Sequence, residues 1–262
     1  MFPSLKRALL GLLEIPYGLY AVAAFLVCGL LVFAFVLLPL GITTRRHLAH
    51  RAARGFFRLA GMPVRVLDSA HLPAGPCVVV ANHASYLDGV VLKAALPARF
   101  SFVIKKEVSR VPLAGFVLRR IGSEFVDRFN RHAGGMDARR LFKAAETGQA
   151  LAFFPEGTFL AQPGLGKFHT GAFAIAARAE LPIVPIAIRG TRRILPSGRF
   201  LPRWGRICVQ VLPALAPLSD LEPTAAIAQT RDQSRARILA ALDEPDLSET
   251  DGVAELQQAR RP

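Results

Sequence analysis

Cys77-Val78-Val79-Val80-Ala81-Asn82-His83-Ala84-Ser85-Tyr86-Leu87-Asp88 is the stretch from which the rest of the chain can be organised. It begins as an unbroken apolar run that reads as a short buried strand, and Val90, Val91, Ala94 and Ala95 beyond it recur at helical spacing. A histidine, a serine and an aspartate therefore cluster where a strand hands over to a helix, the place where open α/β sheets hold their ligands. His83 and Asp88 stand five residues apart, about 140° out of line on a continuous helix. Only a turn between them lets the two side chains meet, which puts His83 in the loop and Asp88 in the first helical turn.

The same residues also read as an ordinary helix start. Ser85 followed three residues later by Asp88 fits a capping box, with the carboxylate near the positive end of the helix dipole. No Gly-x-Ser-x-Gly elbow surrounds Ser85, so it reads as a cap and not as an acyl-carrying nucleophile.

Three further stretches have a similar character. Gly122-Ser123-Glu124-Phe125-Val126-Asp127-Arg128 carries an acid and a base past a short strand. Phe153-Phe154-Pro155-Glu156-Gly157-Thr158 ends a strand in a turn with an acid, a glycine and a hydroxyl. Val184-Pro185-Ile186-Ala187-Ile188-Arg189-Gly190 is a buried strand closed by a base and a glycine. Each alone is ordinary; together they would converge on one edge of a sheet.

The 262 residues include 33 Lys plus Arg against 19 Asp plus Glu, a formal charge of +14. From Asp220 onward nine acids face five bases, so residues 1–219 hold 28 bases and 10 acids, a net +18. A basic body suits anionic partners, such as membranes, phosphorylated substrates or acidic carriers. No basic platform interleaved with aromatics points to nucleic acid. Cys28, Cys77 and Cys208 lie far apart in apolar runs, with neither a metal-ligand spacing nor a disulfide framework, and read as buried thiols of a reducing compartment. No metal site and no cofactor are expected.

Between Glu14 and Arg45 the chain has no charged side chain for 30 residues. That is enough to reach across a hydrocarbon core, so the N-terminus reads as a membrane segment, either spanning or bending back on one face. A cleaved signal peptide fits less well, because the run is long and lacks a small-x-small site. Arg45, Arg46, Arg51, Arg54 and Arg58 follow the run whereas only Lys6 and Arg7 precede it, which places the downstream domain on the cytoplasmic face. Arg46–Leu59 has an amphipathic helical pattern suited either to an anionic lipid surface or to packing on the domain.

From Pro63 short apolar runs alternate with helical patterns, the mark of an α/β domain. Strands are expected near 64–67, 77–81, 100–104, 124–126, 150–154, 183–188 and 207–212. Helices are expected near 85–95, 111–120, 136–146, 172–180 and 224–242. The organisation read from this is a membrane segment with its basic helix at 1–60, an α/β domain at 61–220, and a C-terminal helix with a charged, loosely ordered tail at 221–262.

Asn82-His83-x-x-x-x-Asp88, then Gly122–Arg128, then Phe154–Thr158, then Val184-Pro185-Ile186 occur in the order and approximate spacing of the glycerolipid acyltransferases, the family that includes lysophosphatidic acid acyltransferase, which the chain resembles over 64–190. The resemblance implies a mixed α/β sheet flanked by helices behind an N-terminal membrane segment. It also implies acyl transfer from acyl-CoA or acyl carrier protein to a lysophospholipid, foremost 1-acyl-glycerol-3-phosphate. His83 would be the general base and Asp88 its orienting partner, a triad with the substrate hydroxyl in place of serine. Arg128, Glu156, Gly157 and Thr158 would surround the acceptor head group. Lys105 and Lys106 have two readings, neutralisation of a phosphate or thioester oxyanion, and plain surface charge.

One departure stands out. The family commonly continues Glu-Gly-Thr with Arg-Ser, whereas Phe159 and Leu160 follow here. Lys167, His169, Arg189, Arg192 and Arg193 are the nearby bases that could replace the missing arginine. Another lysolipid or lyso-aminolipid lacking a phosphate monoester is the alternative acceptor. A non-catalytic basic protein of the membrane surface is the alternative of another class.

Overall fold

A computed structural model describes residues 2–127, 131–159, 161–218 and 220–248, with side chains described for all of these except 2–12 and 131–134. Seven strands form one sheet in the order β1-β7-β6-β2-β5-β3-β4: β1 (Val64–Leu67), β2 (Val78–Ala81), β3 (Ser101–Lys105), β4 (Glu124–Val126), β5 (Leu151–Phe153), β6 (Ile183–Arg189) and β7 (Ile207–Val211). β6, β2, β5, β3 and β4 run parallel, β7 is antiparallel to β6, and β1 is parallel to β7. The sheet is mixed, as expected, and every expected strand is present within a residue or two.

Among the described residues are eight α-helices, α1 (Phe2–Leu37), α2 (Ile42–Leu59), α3 (Asp88–Ala95), α4 (Ala114–Arg120), α5 (Arg131–Glu146), α6 (Gly171–Arg178), the single turn α7 (Thr191–Ile194) and α8 (Pro223–Ala241), and two short 3-10 helices, Ser69–His71 and Lys106–Arg110. β2 sits at the centre and is buried on both faces, which is why it reads as an unbroken apolar run and not as an alternation. Val79 and Ala81 point into a core shared with Ala21 of α1, Phe56 of α2 and Val91 of α3. Val78 and Val80 point into a second core with Leu141 of α5, Phe173 of α6 and Ile238 of α8. The sheet is thus a middle layer between two layers of helices.

α1 lies against the domain from Glu14 to Val36. Glu14 Oε2 pairs with Arg199 (2.8 Å) and Arg203 (3.1 Å), and the Tyr17 and Tyr20 hydroxyls donate to the carbonyls of Ala60 and Leu59. Further on, Phe25 packs edge-on against Phe56, Phe33 against Phe116, and Arg120 Nε donates to the Val36 carbonyl. The outward stripe, including Leu19, Leu26, Leu30 and Leu37, is exposed. Leu13–Leu37 is long and apolar enough to cross a membrane.

The basic helix α2 packs inward through Ala49, Ala53, Phe56 and Phe57. Its Arg46 guanidinium reaches the carbonyls of Ile121, Arg99 and Gly122, tying α2 to the far edge of the sheet. Of the cysteines, Cys28 and Cys77 are buried and Cys208 is half-buried; all three are free thiols.

The helix expected from Val111 starts at Ala114 and the one expected from Met136 starts five residues earlier, at Arg131. Two other expectations need correction. The helix expected from Ser85 starts at Asp88, because Ser85–Leu87 are spent on a tight turn closed by the Asp88 N–H to Ser85 carbonyl bond (3.2 Å). The tail expected to be loose after Asp243 is held through Ser248, with 249–262 outside the described residues: the Leu165 N–H donates to the Pro245 carbonyl, the Leu247 N–H donates to the Leu165 carbonyl, and Arg192 pairs with Glu244 (3.1 Å). Arg235 adds an ion pair to Asp246.

Candidate active site

β2, β5, β3, β4 and β6 are parallel, so the segments that follow them emerge at one edge of the sheet. β2 and β5 are neighbours, and their exits are stitched together. The His83 N–H donates to Glu156 Oε1 at 2.6 Å, and the His83 ring stacks on Phe154 with centroids 4.3 Å apart. On the other side, Asn82 spends its whole amide on β6, donating to the Ile188 carbonyl (3.0 Å) and accepting the Ile188 N–H (2.7 Å). Asn82 continues the sheet ladder through a side chain, so His83 leaves the sheet from a fixed point.

The turn brings His83 and Asp88 together. Asp88 is fully buried, and its Oδ2 accepts His83 Nδ1 (2.9 Å), the Ala84 N–H (2.6 Å) and the Ser85 N–H (2.8 Å). Asp88 Oδ1 has no hydrogen-bond partner among the described residues. A carboxylate accepts only, so Nδ1 carries the proton and Nε2 keeps its lone pair. Half of the capping-box expectation is realised: Asp88 reaches back to the Ser85 N–H. The Ser85 hydroxyl instead accepts the Leu87 N–H (3.1 Å) and donates to the Leu195 carbonyl (2.7 Å).

Glu156 is turned inward. Oε1 takes the His83 N–H, Oε2 takes the Gly166 N–H (2.9 Å), and the residue is buried. Burial pushes its carboxyl up to about 7; the two N–H bonds and Arg192 pull it down, and the Asp88 charge adds to the rise. Both oxygens are engaged by backbone donors, so Glu156 clasps the β2 exit to the loop at 162–166.

Gly157, at φ +81, takes a left-handed turn that a side chain would strain, and its N–H donates to the Phe154 carbonyl (3.1 Å). Thr158 is exposed beyond it. Lys105, half-buried, is the last residue of β3, two strands and therefore about 10 Å from β2 along the same edge. Lys106 pairs with Asp127 (3.2 Å). Arg128 and Leu160 lie outside the described residues.

Phe159 packs edge-on against the His83 ring at 4.7 Å, and Tyr86, largely exposed, packs edge-on against Phe159 at 4.7 Å. His83 therefore sits between two phenyl rings. Of the bases considered as substitutes for the missing arginine, Arg192 holds Glu244 and the carbonyls of Gln162 and Gly164, and Arg189 donates to the Ala241 carbonyl and Gln210. Behind Phe154 lies a cavity of about 400 Å³ lined by Val103, Leu141, Phe153, Phe154 and Ile175, with His169 and Arg178 as polar members. The aromatic contacts of His83 and the clasp of Glu156 have no signature in local sequence; the unbroken Phe153-Phe154 pair was the one hint of them.

Residues 63–189 match the model of the acyltransferase family. A chloroplastic 1-acyl-sn-glycerol-3-phosphate acyltransferase of Brassica napus is 35% identical over 123 residues, 47% of this chain and 36% of that one. A lyso-ornithine lipid O-acyltransferase of Pseudomonas aeruginosa is 34% identical over 144 residues, 53% of each chain. The chain thus spans between about a third and about a half of the length of these curated relatives. The crystal structure of the 1-acyl-sn-glycerophosphate acyltransferase PlsC from Thermotoga maritima shares the fold, with a TM-score of 0.70 over 87% of this chain and 97% of that one at 21% identity. With the Phe154–Thr158 turn packed against His83 beside Asp88 at one sheet edge, the domain at residues 63–189 is the part of the chain that matches the acyltransferase family.

Proposed function

We propose that the protein is a membrane-bound O-acyltransferase that moves a fatty acyl group from acyl-CoA or acyl carrier protein to the free hydroxyl of a lysophospholipid, foremost 1-acyl-glycerol-3-phosphate, to give phosphatidic acid. The observation that carries this reading is the His83–Asp88 pair, with Asp88 pinned by two backbone N–H groups at a strand-to-helix turn. His83 Nε2 takes the proton of the acceptor hydroxyl as its oxygen attacks the thioester carbonyl. The C–S bond then breaks, and the proton passes from the imidazolium to the departing thiolate. The apolar cavity behind Phe154 is suited in size and lining to an acyl chain, and Phe154 itself touches His83. Lys105 and Arg128 would supply positive charge for phosphate.

A specific observation favours a second acceptor. Phe159 and Tyr86 present an apolar wall beside His83, which suits a lyso-aminolipid or another acceptor without a phosphate monoester. Purified full-length protein, offered acyl-CoA or acyl carrier protein with a panel of lysolipids and read by mass spectrometry, tests both. Turnover of lysophosphatidate supports the first acceptor, and turnover only of a lyso-aminolipid supports the second. His83→Ala should lower either activity by about 10²- to 10⁴-fold, and full turnover by that variant would remove the assigned base.

For the membrane, we propose that α1 and α2 lie along one leaflet with the domain on the cytoplasmic face. α1 touches the domain from Glu14 to Val36, about 33 Å at 1.5 Å per residue. If α1 stood across the bilayer, Arg51, Arg54 and Arg58 of α2 would be carried to hydrocarbon depth beside it, where each charge is costly.

A further inference from the structure

The loop at 195–206, between α7 and β7, shows its aromatic residues to solvent. Phe200 is 91% exposed and Trp204 is 56% exposed. The loop is nevertheless firmly fastened. Arg199 and Arg203 share Glu14 of α1, the Arg203 N–H donates to the Ile194 carbonyl, and Leu201 packs where Gly18 leaves no Cβ. Trp204 Nε1 donates to the Gly61 carbonyl (2.8 Å), so the indole's one polar atom is satisfied and the remainder of its ring is hydrocarbon. Leu13, Ile15, Leu19 and Tyr20 of α1 are exposed at this same end. Arg58 and Arg206 are exposed, and Arg199 and Arg203 together outweigh the one Glu14 they share, so these residues carry net positive charge.

We infer that the loop at 195–206 is a second membrane-inserting element, with Phe200 and Trp204 seated at the boundary between head groups and acyl chains of an anionic leaflet and the arginines at its phosphates. Aromatic rings with a satisfied polar atom, interleaved with arginine, suit that boundary. The inference rests on α1 and α2 lying on the membrane, and the loop is continuous with that surface. It is also continuous with the site: the carbonyl of Leu195, its first residue, receives the Ser85 hydroxyl three residues before Asp88. An inserted loop therefore brings the acyl-transfer edge to the plane in which a lysolipid acceptor resides.

Trp204 is the chain's single tryptophan, so its emission reports on this loop alone. The full chain is reconstituted with phosphatidylcholine–phosphatidylglycerol vesicles whose acyl chains carry bromine at different depths. Blue-shifted emission, quenched most by bromine nearest the head groups, is the expected result. A chain that floats with the vesicles while Trp204 is unshifted and unquenched overturns the inference and leaves the membrane reading standing. A chain that does not float overturns both. Quenching by a single-stranded oligonucleotide in place of bromolipid would mark the loop as a nucleic-acid platform and also overturn it.

Phe200→Ser, at a position too exposed to disturb the fold, should weaken vesicle partitioning about tenfold. It should lower turnover of vesicle-borne acceptor while sparing a short-chain monodisperse one. Equal loss on both acceptors would contradict a role at the membrane.

Discussion

Asp88→Asn separates the charge of the carboxylate from its geometry. Three donors define the position of Oδ2: His83 Nδ1, the Ala84 N–H and the Ser85 N–H. An asparagine can satisfy all three only with its oxygen there, because the reverse orientation sets an amide nitrogen against two backbone donors. The NH₂ then falls at the Oδ1 position, which has no partner among the described residues, at a cost of about 1–3 kcal/mol in stability. The ring keeps its orientation and its tautomer.

On the proposed mechanism, what is lost is a negative charge about 4 Å from the imidazolium that forms during attack, about 4 kcal/mol at an effective dielectric near 20. At about 1.4 kcal/mol per tenfold, kcat should fall by about 10²- to 10³-fold, short of the loss of about 10⁴-fold, the upper end of the general-base range, expected when His83→Ala removes the base itself. The assay is the initial rate of free-thiol release from the thioester donor, with a melting curve for each variant. An Asp88→Asn variant that stays folded yet is as inactive as His83→Ala would refute the claim that backbone donors hold the ring in place. A variant within threefold of the wild type would refute the role of the charge.

Glu156, held at about 7 against 4.5 in an unfolded chain, binds a proton more tightly when folded. Its protonation therefore contributes stability that is full below about pH 4.5 and lost as pH rises through 7, by about 3 kcal/mol in all. Urea unfolding of the wild type and of Glu156→Gln from pH 4.5 to 8 should show this loss in the wild type alone; a constant gap between the two would contradict it. Arg235 holds the carbonyls of Leu165 and Gly166 as well as Asp246, so Arg235→Ala should speed amide exchange across 163–167, read by mass spectrometry. Unchanged exchange would mean that the C-terminal segment does not secure this loop. Phe159→Arg, which places a forked donor beside His83, should shift the ratio of phosphate-bearing to neutral acceptor turnover upward by about tenfold, and an unmoved ratio would remove position 159 from acceptor choice.

The sheet was legible because β2, β5 and β6 are buried on both faces and so stand out as short apolar runs, each closed by a turn residue. The meeting of His83 and Asp88 followed from their spacing and the need for a turn between them. The strand order was not legible, since β5 enters between β2 and β3 only through long-range pairing. For the same reason the inward turn of Glu156 was hidden: its partners, His83 and Gly166, lie 73 and 10 residues away. Charge after Asp243 read as a loosely ordered tail, but Arg192 and Arg235 supply partners that convert Glu244 and Asp246 into a clamp.

α1 shares one continuous core with the sheet. Ala21, Ala24 and Cys28 lie in the same cluster as Phe56, Met62, Val79, Ile186 and Val209. A soluble enzyme made by trimming α1 would uncover Phe56 and Phe57 and leave the α2 layer without its outer support. Protein for crystallography or screening should therefore retain the helix. If α1 lies in lipid as proposed, a melting temperature taken in micelles would report the grip of lipid and the integrity of the sheet as one number.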